Sequence, residues 1–303
     1  MKPRELFTSP PPATGWSLDA EMAAVVRRHS KGELGCAAVE VPEGTFEVGP
    51  VGLQAVDQDR LRPLLTRLQG EVAGSRRAAL VVPTGWLRSH LLEFDQLPRR
   101  ASDVHDVVLW RLKKLLPVPP ASLRLAMVNQ PSSSGSRRLL VLVGVERAIA
   151  GIEAAFESVG VSLGFLTPRV FAAADSVGAG GPVLTIQQEP GFLALLLRVA
   201  DAPVLVRTKP LARDEWQVVE TELGLTVGFI RSTLEVREPL TVELSMSNAG
   251  LADRLRTWIG LADDLEAAPP REQPFAFDGS AVRQRVGSHR LDPVLNLMAG
   301  RVR

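Results

Sequence analysis

The chain has 303 residues, 45% of them apolar and 23% charged, a composition that supports a packed core and excludes a disordered chain. Single cores stop growing near about 250 to 300 residues, so this length predicts about two lobes. Thirty-five Lys and Arg face 34 Asp and Glu, a net of +1, and there is no Tyr, which argues against nucleic acid or anionic lipid as the main partner.

The single cysteine, Cys36, excludes an internal disulfide and a multi-cysteine zinc site, and fits a reducing compartment. Lys2 and Arg4 run straight into Thr8-Ser9-Pro10 without the apolar stretch of a signal peptide, so the sequence predicts a chain that is not exported as it stands. The longest apolar runs, near residues 139–145 and 192–197, fall short of the about 18 residues a spanning helix requires.

In chain order, residues 22–28 and 36–41 flank a Gly-containing loop and predict a hairpin. Leu61, Leu64, Leu65 and Leu68 recur at helical spacing, and residues 78–82, ended by Pro83, predict a buried strand. Residues 86–94, 123–129 and 138–145 predict a small sheet. A helix over 102–116 packs on it, capped by Ser102, with Val104, Val107, Val108, Leu112 and Leu115 buried and Pro117 as its stop. Ile149, Ile152, Phe156 and Val159 form a helix face that Gly160 ends. The run 178–182 is read as the lobe boundary, followed by a meander over 183–186, 192–199 and 203–208. Trp216, Val219, Leu223, Val227, Ile230 and Leu234 carry the strongest helical period; a strand over 240–244, a helix over 251–259, a loop over 266–274 and a last short helix over 291–298 complete the chain.

Four patterns resemble chemistry and are read as structural. Gly160-x-Ser162-x-Gly164 matches a nucleophile elbow, but such an elbow needs a strand before and a helix after it, and the predicted order here is the reverse. Cys36 lies in an apolar strand, where an inert thiol is expected. His29, His90, His105 and His289 are scattered, without the i, i+4 spacing of a helical metal site, so no metal is predicted. The pairs Arg27-Arg28, Arg76-Arg77, Arg99-Arg100 and Arg137-Arg138 read as solvated loop charge, and no nucleic-acid partner is predicted.

One stretch is more telling. Leu80-Val81-Val82-Pro83 precedes Leu91-Glu93-Phe94, then Leu97-Pro98, then a helix with Trp110 that ends in Leu115-Leu116-Pro117-Val118-Pro119. This order resembles the PilM family of actin-like type IV pilus assembly proteins and the related GspL cytoplasmic domain of type II secretion systems. The resemblance continues through Phe171-Ala172-Ala173-Ala174 and the helix after Asp214, covering most of the chain. It implies a mixed α/β, actin-like two-lobed fold of duplicated ribonuclease H-like domains. The first lobe would be residues 1–178 with a small inserted α/β subdomain at about 84–145, and the second residues 179–303. It also implies a cytoplasmic scaffold peripheral to the inner membrane, bound to a PilN-like or GspM-like membrane protein and to the assembly or secretion ATPase, and able to form a homo-oligomer or ring. Arg111 and Lys113 of the inserted subdomain are the implied contact residues.

Actin-fold ATPases cradle nucleotide with two Gly-containing phosphate hairpins, each with an acid near Mg²⁺, and a Gly-rich adenosine loop; glycine permits the close backbone approach. Here the first hairpin reads Gly15-Trp16-Ser17-Leu18-Asp19-Ala20-Glu21-Met22, keeping Asp19 but placing Ala20 for the glycine and Glu21 toward phosphate. The second, Leu184-Thr185-Ile186-Gln187-Gln188-Glu189-Pro190-Gly191, lacks both acid and tight glycine, and Ser245-Met246-Ser247-Asn248-Ala249-Gly250 stands in for the adenosine loop. The sequence therefore predicts no ATPase activity and no cofactor. The alternative is residual ATP and Mg binding at Asp19 and Gly250. Asp19 is read as a solvated turn or cap residue whose loss changes nothing.

Residues 292–301 resemble the Ile-Asn-Leu docking segment that PilN-type proteins carry at their N-terminus and GspL-type proteins carry before their membrane helix. Either this stretch is a last core helix, or Leu295, Asn296 and Leu297 form that docking segment in cis. The docking reading is preferred because Asn296 amid apolar residues needs partners if buried. Arg301 and Arg303 would then flank a membrane helix beyond the given sequence. Pilus and secretion assignments stay open.

Overall fold

The computed structural model describes residues 12–29, 33–72, 76–131, 136–173, 181–200, 202–211, 215–268 and 284–299. Strands β1 (Thr14–Leu18), β2 (Met22–Arg28) and β3 (Leu34–Glu40) form an antiparallel meander. A hairpin of β4 (Phe46–Gly49) and β5 (Gly52–Val56) and helix α1 (Gln58–Val72) lead to β6 (Arg77–Val82), parallel to β1. After an insertion, helix α3 (Glu146–Ser158) leads to β10 (Ser162–Pro168), parallel to β6, giving the sheet order β10-β6-β1-β2-β3. The predicted hairpin, buried strand and helices are all present.

The insertion holds β7 (Arg88–Phe94), α2 (Ala101–Leu112), β8 (Leu123–Gln130) and β9 (Arg137–Val145). The three strands pair antiparallel in the order β7-β9-β8. Period-2 alternation turns Leu92, Phe94, Leu139, Val141 and Val143 to one face, where Val108 and Leu112 of α2 cover them. Three details depart from the sequence reading. Trp86 lies in a one-turn helix, Thr84–Trp86, and packs into the first lobe's core, because Pro83 turns the chain before β7 begins. Ser102 is the second residue of α2 rather than its cap, its hydroxyl donating to Asp103. The helix ends at Leu112, so Leu115 falls in the following turn and is 54% exposed.

The second half repeats the first. Strands β11 (Val183–Glu189), β12 (Gly191–Val199) and β13 (Ala202–Leu211) form an antiparallel meander, and helix α5 (Trp216–Ser232) leads to β14 (Leu240–Met246), parallel to β11. Helix α6 (Ala249–Gly260) then leads to β15 (Leu265–Ala267), parallel to β14, where the sequence reading had only loop. The order β13-β12-β11-β14-β15 matches the first sheet strand for strand and in sense. Two such ribonuclease H-like sheets, with a subdomain inserted in the first half, constitute the actin-like fold. The proposed boundary run 178–182 lies largely outside the described residues.

Each sheet is followed by one more helix, and the two helices change sides. Helix α4 (Arg169–Ala173) follows the first sheet, yet its Val170 packs with Ala194 and Leu196 of the second. Helix α7 (Ser288–Met298) follows the second sheet, yet Leu291, Val294, Leu295, Leu297 and Met298 pack with Met22, Ala24, Val26, Ala79 and Val81 of the first. α7, which the sequence reading placed with everything after residue 179 in the second lobe, thus lies against the first sheet. Its approach is close: a Cβ on Gly15 of β1 would lie 2.5 Å from Cγ1 of Val294. Glycine at that position lets the helix sit directly on the strand. On the opposite face of the same sheet, Trp16 meets Phe156 of α3 edge to face at 5.1 Å, a pairing that adds about 0.5 to 1.5 kcal/mol beyond burial.

Candidate functional site

The candidate site is the junction of the two sheets, where the sequence places the two hairpins and the 245–250 loop. Asp19 begins the β1–β2 turn. Its Oδ1 accepts from the backbone N–H of Glu21 and of Met22, both at 2.9 Å, an Asx-type closure that fixes the carboxylate. Its Oδ2 faces inward and accepts from Nη2 of Arg169 at 3.1 Å and from Nε of Arg290. Asp19 is therefore a turn residue as expected but a buried one, 5% exposed, which corrects the solvated reading.

Arg169 opens α4 and is fully buried, with no exposed surface. Besides Asp19, it donates through Nη1 to Oε2 of Glu189 at 2.8 Å and through Nη2 to Ser17 at 3.3 Å. Glu189 ends β11, so the guanidinium ties a carboxylate of each sheet to one cation. The other oxygen of Glu189 accepts the N–H of Thr84 at 2.9 Å; the Thr84 hydroxyl donates to Gln187 Oε1 at 2.9 Å and accepts from the N–H of Val170 at 3.0 Å. Beside this chain the one-turn helix meets the second sheet directly: a Cβ on Gly85 would lie 2.6 Å from the ring of Phe192 in β12.

Arg290, from α7, completes the cluster. It reaches Asp19 through Nε, Glu21 through Nη2 at 2.7 Å, and its Nη1 donates to the Val286 carbonyl at 3.1 Å. Glu21, expected to repel phosphate, instead neutralises this arginine. Burial acts to raise the Asp19 pKa, but the charges of Arg169 and Arg290, with the hydrogen bonds from Arg290 and the Glu21 amide, outweigh it and hold the carboxyl at about 2. His289, one residue before Arg290, is pushed down to about 3 by burial and by the positive charges of Arg169 and Arg290, against the pull of Asp19.

These shifts set a pH dependence. The unfolded chain protonates His289 near 6.5 while the folded chain holds it neutral to about 3. Stability therefore falls as the pH drops below 6.5, by about 1.4 kcal/mol per unit for this residue. Asp19 adds stability above its unfolded value of 3.8 that is lost as the pH falls toward 2. In His289→Gln the decline in melting temperature between pH 7 and pH 4.5 is expected to be shallower than in the parent; parallel curves would show that His289 takes up its proton without unfolding.

The third expected nucleotide element is also tied up internally. Gln188 Oε1 accepts from Ser247 N at 3.1 Å, Ser247 Oγ at 2.6 Å and Asn248 N at 3.0 Å. Asn248 caps α6 by accepting from Leu251 N at 3.1 Å, which places Gly250 exposed in the first turn of that helix. These residues do not fit a Mg-nucleotide. Five N–H donors already occupy Asp19, both oxygens of Glu189 are taken, Pro190 has no N–H to offer, and the 245–250 segment is bonded to Gln188. No group of three or more His, Cys, Asp or Glu among the described residues is placed to hold a metal ion.

The other predicted site residues separate into two sets. Leu295, Asn296 and Leu297 are buried at 1%, 3% and 5% exposure, and Asn296 Nδ2 donates to the carbonyls of Ala172 at 3.2 Å and Ala173 at 3.5 Å. The side chains read as a docking segment fill the chain's own core here, and the partners that Asn296 required are the last carbonyls of α4. Arg111 and Lys113 stand exposed at the end of α2, Arg111 with its guanidinium 5.6 Å from the Phe94 ring centre. Burial raises the Cys36 thiol to about 12, which keeps it un-ionised and poorly nucleophilic. Ser162 leads from α3 into β10, helix then strand, so the elbow geometry is absent there. The sequence reading missed Arg169 and Arg290. The signal for Arg169 was a lone cation inside Pro168-Arg169-Val170-Phe171-Ala172.

No protein-family model matches the chain, and no curated protein matches it. Solved structures do. A PilM–PilN type IV pilus biogenesis complex superimposes with a TM-score of 0.74 at 18% identity, over 96% of this chain and 99% of that one. The cytoplasmic domain of EpsL, an inner-membrane component of the type II secretion system of Vibrio cholerae, superimposes with a TM-score of 0.50 at 11% identity, over 95% of this chain and 93% of that one. At these identities the likeness is one of fold. No helix among the described residues is long and apolar enough to cross a membrane.

Proposed function

We propose that this chain is a non-catalytic scaffold of an inner-membrane assembly platform, of the kind that type IV pilus or type II secretion systems use, and that it acts by binding other proteins. The observation that carries the reading is the closed junction: the acid that would serve Mg²⁺ is engaged by two buried arginines of the same chain. The fold shared with a PilM–PilN complex supports a PilN-like or GspM-like membrane partner at the cytoplasmic face of the inner membrane. In this reading residues 1–178 form the first lobe with its insert, and the second begins at 179 and returns α7 to the first. With Leu295, Asn296 and Leu297 buried, a cavity of about 400 Å³ between β5, the α2–β8 connection and the start of α3 becomes the seat for a partner segment; Gln54, Val118, Ala121, Val145 and Arg147 line it.

The test has two parts. Melting in millimolar Mg-ATP is expected to match melting without it, whereas a ligand present at one hundred times its Kd would add about 2.7 kcal/mol. A clear upward shift would favour the alternative, an ATP-binding protein of the actin and sugar-kinase superfamily. The inserted subdomain supplies the second contact face, toward a neighbouring subunit or the assembly ATPase. Arg111→Glu with Lys113→Glu is expected to weaken capture of that partner several-fold while the melting temperature stays within a degree or two. Equal capture by both proteins would remove α2 from the interface.

A further inference from the structure

The outer face of α2 carries a charge pattern that is its own complement. Asp103 and Asp106 stand exposed near its start. Trp110, 60% exposed, follows one turn later, and Arg111, Lys113 and Lys114 stand exposed at its end. The backbone stays helical through Lys113 and then tightens, the Lys113 N–H bonding to Leu109 O and the Lys114 N–H to Arg111 O. Lys114 holds its ammonium 4.3 Å from the Trp110 ring centre, and Leu115 beside it is 54% exposed. None of the three cations enters an ion pair among the described residues, and Asp106 has only its neighbour His105 at 3.7 Å. An indole this exposed, ringed by charges of both signs, is poorly explained by the folding of a single chain.

We propose that this face docks the α2 helix of a second copy of this chain, antiparallel, about a twofold axis between Val108 and Leu109. The inference rests on the reading of the inserted subdomain as a contact face and names its occupant. Reversing the helix direction about that point sets Asp103 against Lys114 of the second copy, Val107 against Trp110 and, on one flank, Asp106 against Lys113, and the twofold repeats each pair. A parallel arrangement would instead oppose like charges. Such a contact is isologous, the same patch used twice, which is the commonest way soluble chains self-associate. Residues 103, 107, 110 and 114 share one side of the helix by the three-and-four spacing that helix pairs use. The same pattern speaks against an anionic membrane, because Asp103 and Asp106 would face the lipid headgroups and one Trp with three cations is a marginal anchor.

One helix pair is a small interface, so association is weak and salt-sensitive. In sedimentation equilibrium at tens to hundreds of micromolar in low salt, the full chain is expected to dimerise, and the dimer to fall away as salt is raised. Asp103→Lys with Asp106→Lys makes the face wholly cationic, and Lys113→Glu with Lys114→Glu reverses the cations that meet those aspartates. Each variant alone is expected to be monomeric, and a one-to-one mixture to restore the dimer. Trp110→Ala, a change at an exposed position that preserves the charges, is expected to weaken the dimer at least tenfold and decides the matter if a charge variant does not fold. A monomeric wild type, a dimer indifferent to all these changes, or a mixture that stays monomeric overturns the proposal. Binding to vesicles containing phosphatidylglycerol that is lost in Trp110→Ala, without dimerisation, would reassign the face to lipid. Failure of this dimer alongside loss of capture of the assembly ATPase in the Arg111 and Lys113 variant would leave the scaffold reading intact and change only the occupant.

Discussion

Replacing Arg169 with methionine is expected to destabilise the protein by about 3 to 5 kcal/mol, the usual cost of removing one member of a buried ion cluster and leaving its partners charged. Arg169 has no exposed surface and joins Asp19 of the first sheet to Glu189 of the second. Methionine fills much of the same volume, so the loss is chiefly electrostatic: Glu189 keeps the Thr84 N–H but no cation, and Asp19 keeps only Arg290. Urea denaturation gives the number directly from the shift in midpoint at constant slope. Adding Glu189→Gln should recover part of the loss, since the two positions share one interaction. A single-variant loss below about 1 kcal/mol would mean that water reaches the junction and solvates the stranded carboxylates. The same reasoning reverses the expectation for Asp19→Ala, which the sequence reading took as neutral; it would leave Arg169 and Arg290 each short of an anion.

Leu295→Ala is expected to cost about 2 to 5 kcal/mol, the range for deleting a buried leucine without full collapse of the cavity. The side chain is 1% exposed and lies with Val26, Val81 and Val294 against the first sheet. Thermal or urea unfolding decides the point. A docking segment would show the opposite pattern, unchanged stability with lost partner capture, and that result would require α7 to leave its place on β1.

Many of the strands and helices were legible because they rest on local signals, whereas the parallel pairings that order them in the sheets, and the short strand β15, were not. Apolar runs ended by Pro83 or interrupted by glycine, and the three-and-four period of Val219, Leu223 and Ile230, are settled within a dozen residues. The burial of Asp19 was not legible, because its two cations lie 150 and 271 positions away in sequence. Asn296 is instructive in the same way. Its need for hydrogen-bond partners could be read from its apolar neighbours, but the carbonyls that meet the need belong to a helix more than 120 positions earlier. A free surface and a distant element of the same chain satisfy such a residue equally well on paper, and an amphipathic period does not say which sheet a helix will cover. Trp86 shows the shorter-range limit: Pro83 marked the end of β6, yet one helical turn intervenes before β7.

The exchange of α4 and α7 between the sheets bears on how the molecule comes apart. Each half buries one face under a helix that the chain supplies from beyond the other half, and the two helices are bonded to each other through Asn296. Each half keeps a main core of its own but has its other face covered in part by the other's helix, so melting one uncovers apolar surface on the other. This coupling favours loss of both lobes together over melting of either one alone.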